Sequence, residues 1–504
     1  MVALNESPRQ APPITRPRPR LHPALAVVPI AASGVLAGWA ATSSASALML
    51  LAIAGTAAQV AGYLLLVKVV LRRGIAVSAS IGLAWLVYFT FRLGLTQMDR
   101  DNLNENIAVR GAGDGAFVWA WLLTTLCLYA FVLGVKVGGA SRLPNRRRVD
   151  LSTRSLLVLA TVGLLGRYAM VFGGIQSGFI ESIMSLYLLA FGALGYHSVT
   201  NRAIRRPLYA LVTMASVVGI LTSFKEAAVI PIAALLVGVA AAGVKVSKTK
   251  LVGLMLLGVW VFLTVQGNRV AFDLGDDVPI YEAAVAAITD YNIESGLRGR
   301  PGRPPNEAAW DVVQGLSRRF GGVTGIIVLH EKVPRETEFQ NGKSIWQPIL
   351  SSVPLAPNYV HLEFPQLSLG RYFTTEFIAD NPDDNLSSQA ITMPGDLYLN
   401  FGFWGAVIGM GLWGVATGRI DRTFPPTSAT KVGVIVYVGH ILIGVERNVG
   451  FLAVNGAIRV TLVLLLLRAA ARWGERQRGA GAVTVAGASD PLDTIDLRPA
   501  GGNR

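Results

Sequence analysis

The stretch GAFVWAWLLTTLCLYAFVLGV, residues 115–135, contains no charged side chain. A helix of about 20 apolar residues crosses a hydrocarbon core of roughly 30 Å, so this stretch predicts a transmembrane helix. Similar runs recur from the N-terminal third to the C-terminus, and the chain is 52% hydrophobic and 15% charged, with a mean hydropathy of +0.48. This composition indicates one integrated membrane domain rather than several soluble domains.

About twelve apolar runs fit transmembrane helices by length and hydropathy. We therefore expect an all-α polytopic membrane protein with about 12 transmembrane helices. The predicted spans are 24–43, 47–67, 76–95, 115–135, 154–173, 179–197, 208–224, 227–244, 251–267, 397–417, 431–446 and 449–467.

The positive charge of the chain predicts its orientation in the membrane. The net charge is +14 and the pI is 10.1, but most Lys and Arg residues fall in alternate short loops, which is the bias of cytoplasmic loops. This distribution indicates membrane topology rather than nucleic-acid binding, and it predicts that both termini are cytoplasmic. The basic loops contain Lys68, Arg72 and Arg73; Arg142 and Arg146 to Arg148; Arg202, Arg205 and Arg206; Lys245, Lys248 and Lys250; and Arg419 and Arg422.

The loops on the opposite side are short except for 96–114 and 268–396, and loops of such length are uncommon unless they are functional. The predicted organisation is a basic N-terminal tail (1–23), nine helices (24–267), a large extracytoplasmic loop (268–396), three helices (397–467) and a disordered cytoplasmic tail (468–504). Within the large loop, Asn306 is a plausible N-cap for an amphipathic helix that ends near Phe320.

Five basic residues lie near the predicted outer ends of spans, where the charge bias predicts few: Arg92, Arg167, Lys225, Arg269 and Arg447. A cation within a helix costs about 2.5 to 3.5 kcal/mol on insertion scales, so such residues usually face a cavity or a partner. Their convergence would suit a phosphate or pyrophosphate headgroup, which arginine binds through paired hydrogen bonds. The alternative is that each side chain reaches the membrane surface and has no other role.

The candidate catalytic bases are Glu226, His330 and His361. Glu226 follows Lys225 directly, so it either neutralises that cation or accepts a proton from an attacking hydroxyl.

The sequence contains no Walker A loop, no zincin pair and no nucleophile elbow. The acidic stretches 99–101 and 380–384 lie in loops where Asp is an ordinary turn residue, and we expect no metal site and no cofactor.

Four stretches carry a resemblance to a known family. The segment SSQAITMPGDLYLNFGFWGAVIGMGLWGVATGRIDRTF, residues 387–424, resembles the end of the large extracytoplasmic loop and the following span in Wzy-type O-antigen polymerases, which polymerise oligosaccharide repeat units. SFKEAAVIPIAALLVG, residues 223–238, is similar to a Lys-containing entry to a span in that family. LSRRFGGVTGIIVLHEKVP, residues 316–334, and FQNGKSIWQPILSSVPLAP, residues 339–357, look like the early part of the same loop. The chain departs from the family at 353–357, where it lacks the Pro-Arg pair found in many members.

The resemblance implies many membrane helices around a cavity that opens outward under the long loop. It also implies transfer of a growing glycan from its polyprenyl pyrophosphate carrier to another lipid-linked repeat unit, in a bacterial cytoplasmic membrane, with a chain-length regulator and a flippase as possible partners. On this basis we expect Arg269, Arg318 and Arg319 to bind the pyrophosphate, with Lys225 and Arg447 in support. Two other activities remain open, an O-antigen ligase-like transferase and a lipid-linked oligosaccharide transporter, and a non-catalytic chain-length protein would not need buried cations.

Overall fold

The structure is a computed structural model that describes residues 45–70, 76–91, 93, 113–140, 151–173, 178–221, 225–244, 322–351, 372–378, 391–425, 427–444 and 447–486. Every regular element in these ranges is helical, so the all-α prediction is confirmed for the described residues. The predicted spans 24–43 and 251–267 and the amphipathic helix at 306–320 lie outside these ranges.

Eight α-helices come from the N-terminal half of the chain. They are α1 (Ala45–Val70), α2 (Val77–Trp85, continued by a π-helix over Leu86–Phe91), α3 (Asp114–Gly138), α4 (Thr153–Phe172), α5 (Gly178–Met184), α6 (Leu186–Ser198), α7 (Arg205–Leu221) and α8 (Lys225–Ala241).

Five α-helices come from the C-terminal half. They are α9 (Gly322–Lys332), α10 (Lys343–Ser351), α11 (Met393–Thr423), α12 (Ala429–Leu442) and α13 (Val449–Ala486). The first two belong to the predicted large loop, which is therefore partly helical.

Four of the described helices are long and apolar enough to cross a membrane: Leu50–Val70, Asp114–Gly138, Met393–Thr423 and Val449–Ala470. Three shorter apolar helices cover Val77–Phe91, Ala228–Ala241 and Ala429–Leu442. This character is that of an α-helical membrane protein. The number of twelve spans and the orientation of the termini stay predictions.

Two helix boundaries differ from the sequence prediction. The predicted span 179–197 is interrupted at Ser185, whose hydroxyl donates to the carbonyl of Glu181 at 2.7 Å. Such bonds from serine to its own helix compete with the regular ladder and bend helices. The predicted disordered tail begins at residue 468, whereas α13 continues to Ala486, through a stretch rich in Ala and Arg, which are good helix formers.

Glycines bring α3 and α11 into direct backbone contact. A Cβ built on Gly134 would collide with the carbonyl oxygen of Gly411, and one on Gly138 would collide with that of Val415. From the other side, a Cβ on Gly414 would meet the backbone of Phe131. Small residues at such crossings let membrane helices pack closely, because dispersion contacts replace the hydrophobic driving force in lipid. The two helices therefore pack backbone to backbone along their crossing.

The helix α11 contains a break at Gly402, which has φ 71° and ψ −167°. This region of backbone space is essentially restricted to glycine. The peptide N–H groups of Gln340 and Asn341 donate to the carbonyls of Leu399 and Asn400, at 2.9 and 3.2 Å. The segment before α10 therefore satisfies carbonyls at the break, and it joins the predicted loop to the start of α11.

We expect Gly402→Ala to destabilise the protein by about 1–3 kcal/mol, because alanine is strained in this backbone conformation and its Cβ would lie 3.3 Å from Cζ of Phe339. The measurement is the thermal unfolding midpoint of the purified protein in detergent. The control is Gly115→Ala in the first turn of α3, where a Cβ would meet nothing within 4 Å. Equal midpoints for the two variants would show that the break at residue 402 does not need glycine.

Candidate functional site

A cavity of about 290 Å³ lies between α2, α8 and α12. Its wall is largely aliphatic, and its polar lining residues include Ser80, Tyr88, His440 and Arg447. The aliphatic lining includes Val77, Ile230, Ala233, Ala234, Val237 and Ile435. An apolar space that carries a cation and a histidine suits a ligand with a hydrocarbon part and an anionic part.

The position of α2 in this wall depends on a carboxylate from another helix. Asp421, near the end of α11, accepts hydrogen bonds from the backbone N–H of Val77 at 2.7 Å and of Ser78 at 3.3 Å, and also from the Ser78 hydroxyl. Free N–H groups at a helix start need such acceptors. Asp421 is buried and therefore anchors the first turn of α2 beside the cavity.

Arg447 lies in the connection between α12 and α13 and lines the cavity. Its backbone N–H donates to the carbonyl of Gly444 at 2.9 Å, and its guanidinium carbon lies 5.0 Å from the centre of the Phe451 ring. A Cβ on Gly444 would lie 3.1 Å from Cδ of Arg447, so the side chain folds over this glycine. The sequence prediction singled out Arg447, and the structure places it at a cavity.

Arg459 is a further buried cation that the sequence analysis did not single out. It is 2% exposed, its Nη1 donates to the carbonyl of Tyr437 at 3.1 Å, and its guanidinium carbon lies 4.8 Å from the Tyr437 ring centre. Its Nε is buried without a hydrogen-bond partner among the described residues. The sequence alone could have identified Arg459, because a single arginine in the middle of the predicted span 449–467 raises the free energy of membrane insertion unless the side chain has a partner. Such a residue therefore usually has a functional role.

A third guanidinium group belongs to the same neighbourhood. Arg167 of α4 lies 3.7 Å from the carboxylate of Glu181. The charges of Arg459, Arg447 and Arg167 all act on His440, and those of Glu181 and Arg447 act on Arg459. We call Arg167, Arg447 and Arg459 the cationic cluster. The three guanidinium groups come from separate segments of the chain, and the charge of each acts on His440, which lines the cavity.

The residues Lys225 and Glu226 form the first turn of α8, the helix that supplies Ile230, Ala233, Ala234 and Val237 to the cavity wall. At 1.5 Å per residue, Ile230 lies about 7.5 Å along the axis from Lys225. Helix α8 therefore begins near the cavity. The proposed roles of the two side chains stay predictions.

The candidate base His330 lies on α9 in an aromatic cluster. Its ring is stacked on Trp119, with 4.3 Å between centres and an interplanar angle of 18°, and Trp119 also meets Tyr398 edge to face at 4.7 Å. Partial burial lowers the pKa of His330, because it disfavours the charged imidazolium. The described residues that line the cavity do not include His330. The geometry thus does not unite this histidine with Arg447.

Four of the predicted site residues lie outside the described residues: His361, Arg269, Arg318 and Arg319. Their roles stay predictions. Within the described ranges, no group of three His, Cys, Asp or Glu side chains is arranged to hold a metal ion.

A buried carboxylate connects the predicted loop to the segment that holds Arg447. Asp396 is fully buried, and its Oδ2 accepts from the backbone N–H of Val449 at 2.8 Å. Its Oδ1 accepts from Nδ2 of Asn400 at 3.0 Å and from the Ser344 hydroxyl. Since Val449 follows Arg447 by two residues, Asp396 holds α10, α11 and the start of α13 together beside the cationic cluster.

Comparison with known proteins finds no matching family model, curated protein or solved structure.

Proposed function

We propose that the protein polymerises polyprenyl-pyrophosphate-linked oligosaccharide repeat units on the extracytoplasmic face of a bacterial cytoplasmic membrane. The observation that carries the proposal is the apolar cavity with Arg447 and His440 in its lining, together with the buried Arg459 and with Arg167 nearby. The resemblance of residues 387–424 to Wzy-type polymerases supplies the reaction class. Both lines of support point to a lipid with an anionic headgroup.

The chemistry of glycan assembly outside the cytoplasm fits such a site. Sugar nucleotides are not supplied there, so the glycosidic bond has to form from a donor that is already activated. Transfer breaks the bond between the anomeric carbon and the pyrophosphate oxygen, and negative charge grows on the departing pyrophosphate. Guanidinium groups held nearby stabilise that charge more in the transition state than in the ground state, which lowers the barrier.

The apolar wall of the cavity would contact the polyprenyl chain of the donor. Ligand sites commonly measure about 300–1,000 Å³, and the cavity of about 290 Å³ lies just below that range. It would therefore hold one section of a polyprenyl chain, and the remainder of the chain would extend into the bilayer. The aliphatic side chains of α8 and α12 are suited to this contact, since they bury hydrocarbon without leaving a polar group unpaired.

In this proposal Arg447 contacts the pyrophosphate and Arg459 and Arg167 add to the positive potential. Lys225, Arg269, Arg318 and Arg319 remain proposed pyrophosphate ligands. Glu226, His330 and His361 remain the candidates for the base that takes the proton of the acceptor hydroxyl. The acceptor is a second lipid-linked repeat unit, and a chain-length regulator and a flippase are the proposed partners.

The test is a gel of lipid-linked and surface polysaccharide from cells that lack the gene, run beside the parent strain. We expect a single repeat unit on the lipid carrier in place of the ladder of polymer lengths, because each missing transfer leaves the donor and the acceptor as monomers. Restoration of the ladder by a plasmid copy is the control. Full-length polymer retained on its carrier would instead indicate a ligase, and repeat units held inside the cell would indicate a transporter.

A further inference from the structure

The short helix α10, Lys343–Ser351, has its polar and apolar faces reversed relative to a helix on a water-soluble protein. Its polar residues Ser344 and Gln347 are buried, at 1% and 3% exposure, whereas Trp346 and Ile349 are 38% and 39% exposed. The Ser344 hydroxyl bonds to Asp396 and also accepts from Nδ2 of Asn400 at 2.6 Å. The buried face is therefore bonded to the protein, and the apolar face is the one that points outward.

The outward face of α10 adjoins an exposed apolar stripe on α11. Phe401, Trp404, Ile408 and Leu412 follow helical spacing and are 52%, 68%, 62% and 66% exposed. A Cβ on Gly342 would lie 3.4 Å from Cζ of Phe401 and 3.7 Å from Cδ1 of Trp346, so the two rings flank the same glycine. Trp346 thus lies at the end of this stripe.

We propose that Trp346 and Ile349 lie in the interfacial region of the lipid bilayer and that α10 is a membrane-contacting helix. Helix α11 is long and apolar enough to cross a membrane, so its exposed stripe is suited to acyl chains. The residues Met393 to Asn400 that precede Phe401 are buried in the protein, so exposed apolar surface begins at Phe401, beside α10.

The bilayer fits this surface better than a second copy of the chain or a soluble partner. Tryptophan is enriched where hydrocarbon meets headgroups, because its ring is apolar and its N–H is polar. The patch on α10 contains two large side chains, whereas a stable protein interface needs roughly 800 Å² on each partner. Contact with lipid also accounts for the continuity with a membrane-spanning stripe. The proposal does not depend on the glycan chemistry.

The experiment labels one introduced cysteine at a time in the full-length protein in lipid nanodiscs. The native Cys127 is buried, so the parent protein measures background labelling. An environment-sensitive fluorophore is attached in Trp346→Cys and Ile349→Cys. Val162→Cys is the lipid-facing reference, on an exposed position of α4 within a predicted span, and Glu336→Cys is the aqueous reference, on an exposed turn.

We expect the labels at 346, 349 and 162 to emit at shorter wavelength than the label at 336 and to lose fluorescence when spin-labelled lipid is added. Iodide in the buffer should quench the label at 336 instead. Iodide quenching at 346 and 349 equal to that at 336 would overturn the proposal. Protection from both quenchers that disappears on dilution of the protein would also overturn it, in favour of contact with a second copy.

A second measurement needs no label and covers the case in which the cysteine variants do not fold. Brominated lipids quench tryptophan at the bilayer interface, so Trp346→Phe should reduce the quenchable part of the intrinsic fluorescence relative to the parent. The proposal would be overturned if brominated lipids quench the same fraction of the tryptophan fluorescence in the folded Trp346→Phe variant as in the parent.

Discussion

Replacing Arg447 with alanine is expected to abolish the polymer while leaving the protein inserted in the membrane. Arg447 lines the apolar cavity, and its charge and that of Arg459 both act on His440. Loss of a preorganised charge-assisted donor to a developing oxyanion typically lowers turnover by about 10²–10³-fold. Polymerisation multiplies this loss over successive transfers, so long chains should disappear first. The gel should show single repeat units on the lipid carrier.

Two variants make this result specific. Arg447→Lys keeps the charge but loses the planar fork that binds phosphate through two bonds, so we expect shorter chains rather than none. Arg202→Ala removes an exposed arginine from a predicted cytoplasmic loop and should leave the ladder unchanged. The amount of each variant in the membrane fraction is measured by immunoblot. A normal ladder from well-expressed Arg447→Ala would remove this residue from the proposed pyrophosphate site.

Substitution of Gly414 by leucine is expected to prevent the close packing of α3 against α11. A Cβ at this position would collide with the carbonyl oxygen of Phe131 and lie 2.9 Å from its carbonyl carbon. The neighbouring atoms are backbone of α3, so no rotamer change relieves the overlap, and the helices have to separate. Overpacking of this kind costs about 1–3 kcal/mol and more where backbone has to move. The separation would also displace Asp421, seven residues along α11, from its bonds with α2.

The matched control lies three residues earlier on the same helix. A Cβ on Gly411 would lie 3.7 Å from the carbonyl oxygen of Ala130, which is an ordinary contact, so Gly411→Ala should be tolerated. Size-exclusion chromatography in detergent and the thermal unfolding midpoint are the measurements. We expect Gly414→Leu to elute as an aggregate and Gly411→Ala to match the parent. A monodisperse Gly414→Leu with an unchanged midpoint would contradict the described packing of α3 and α11.

Helix positions were predicted well where the signal is local. Residues 115–135 were predicted as a span and form most of α3, since uninterrupted hydropathy is a property of the stretch itself. The break between α5 and α6 was not predicted, because a serine that bonds to its own helix has no strong signature in an apolar run. The break at Gly402 was also missed, since it needs the peptide groups of residues 340 and 341 from elsewhere in the chain.

The candidate site was predicted in part. Arg447 was recognised because a cation at a predicted outer end of a span is unexpected, and the structure places it in a cavity wall. Arg459 was not predicted as a site residue, because an apolar run with a single charge is still predicted as a transmembrane helix. His330 was proposed as a base on its residue type alone, and its stacking on Trp119 places it in an aromatic cluster.

The sequence by itself determined the helical, membrane-type character of this protein, because apolar length and the placement of charge are additive properties of a linear chain. Only the tertiary structure decided which charges meet. Arg167, Arg447 and Arg459 are separated by up to 292 positions in the sequence, yet the charge of each acts on His440, which lines the cavity. Glycine contacts between helices and buried carboxylates such as Asp396 and Asp421 join elements that are far apart in the chain, and such contacts are not visible in a linear pattern.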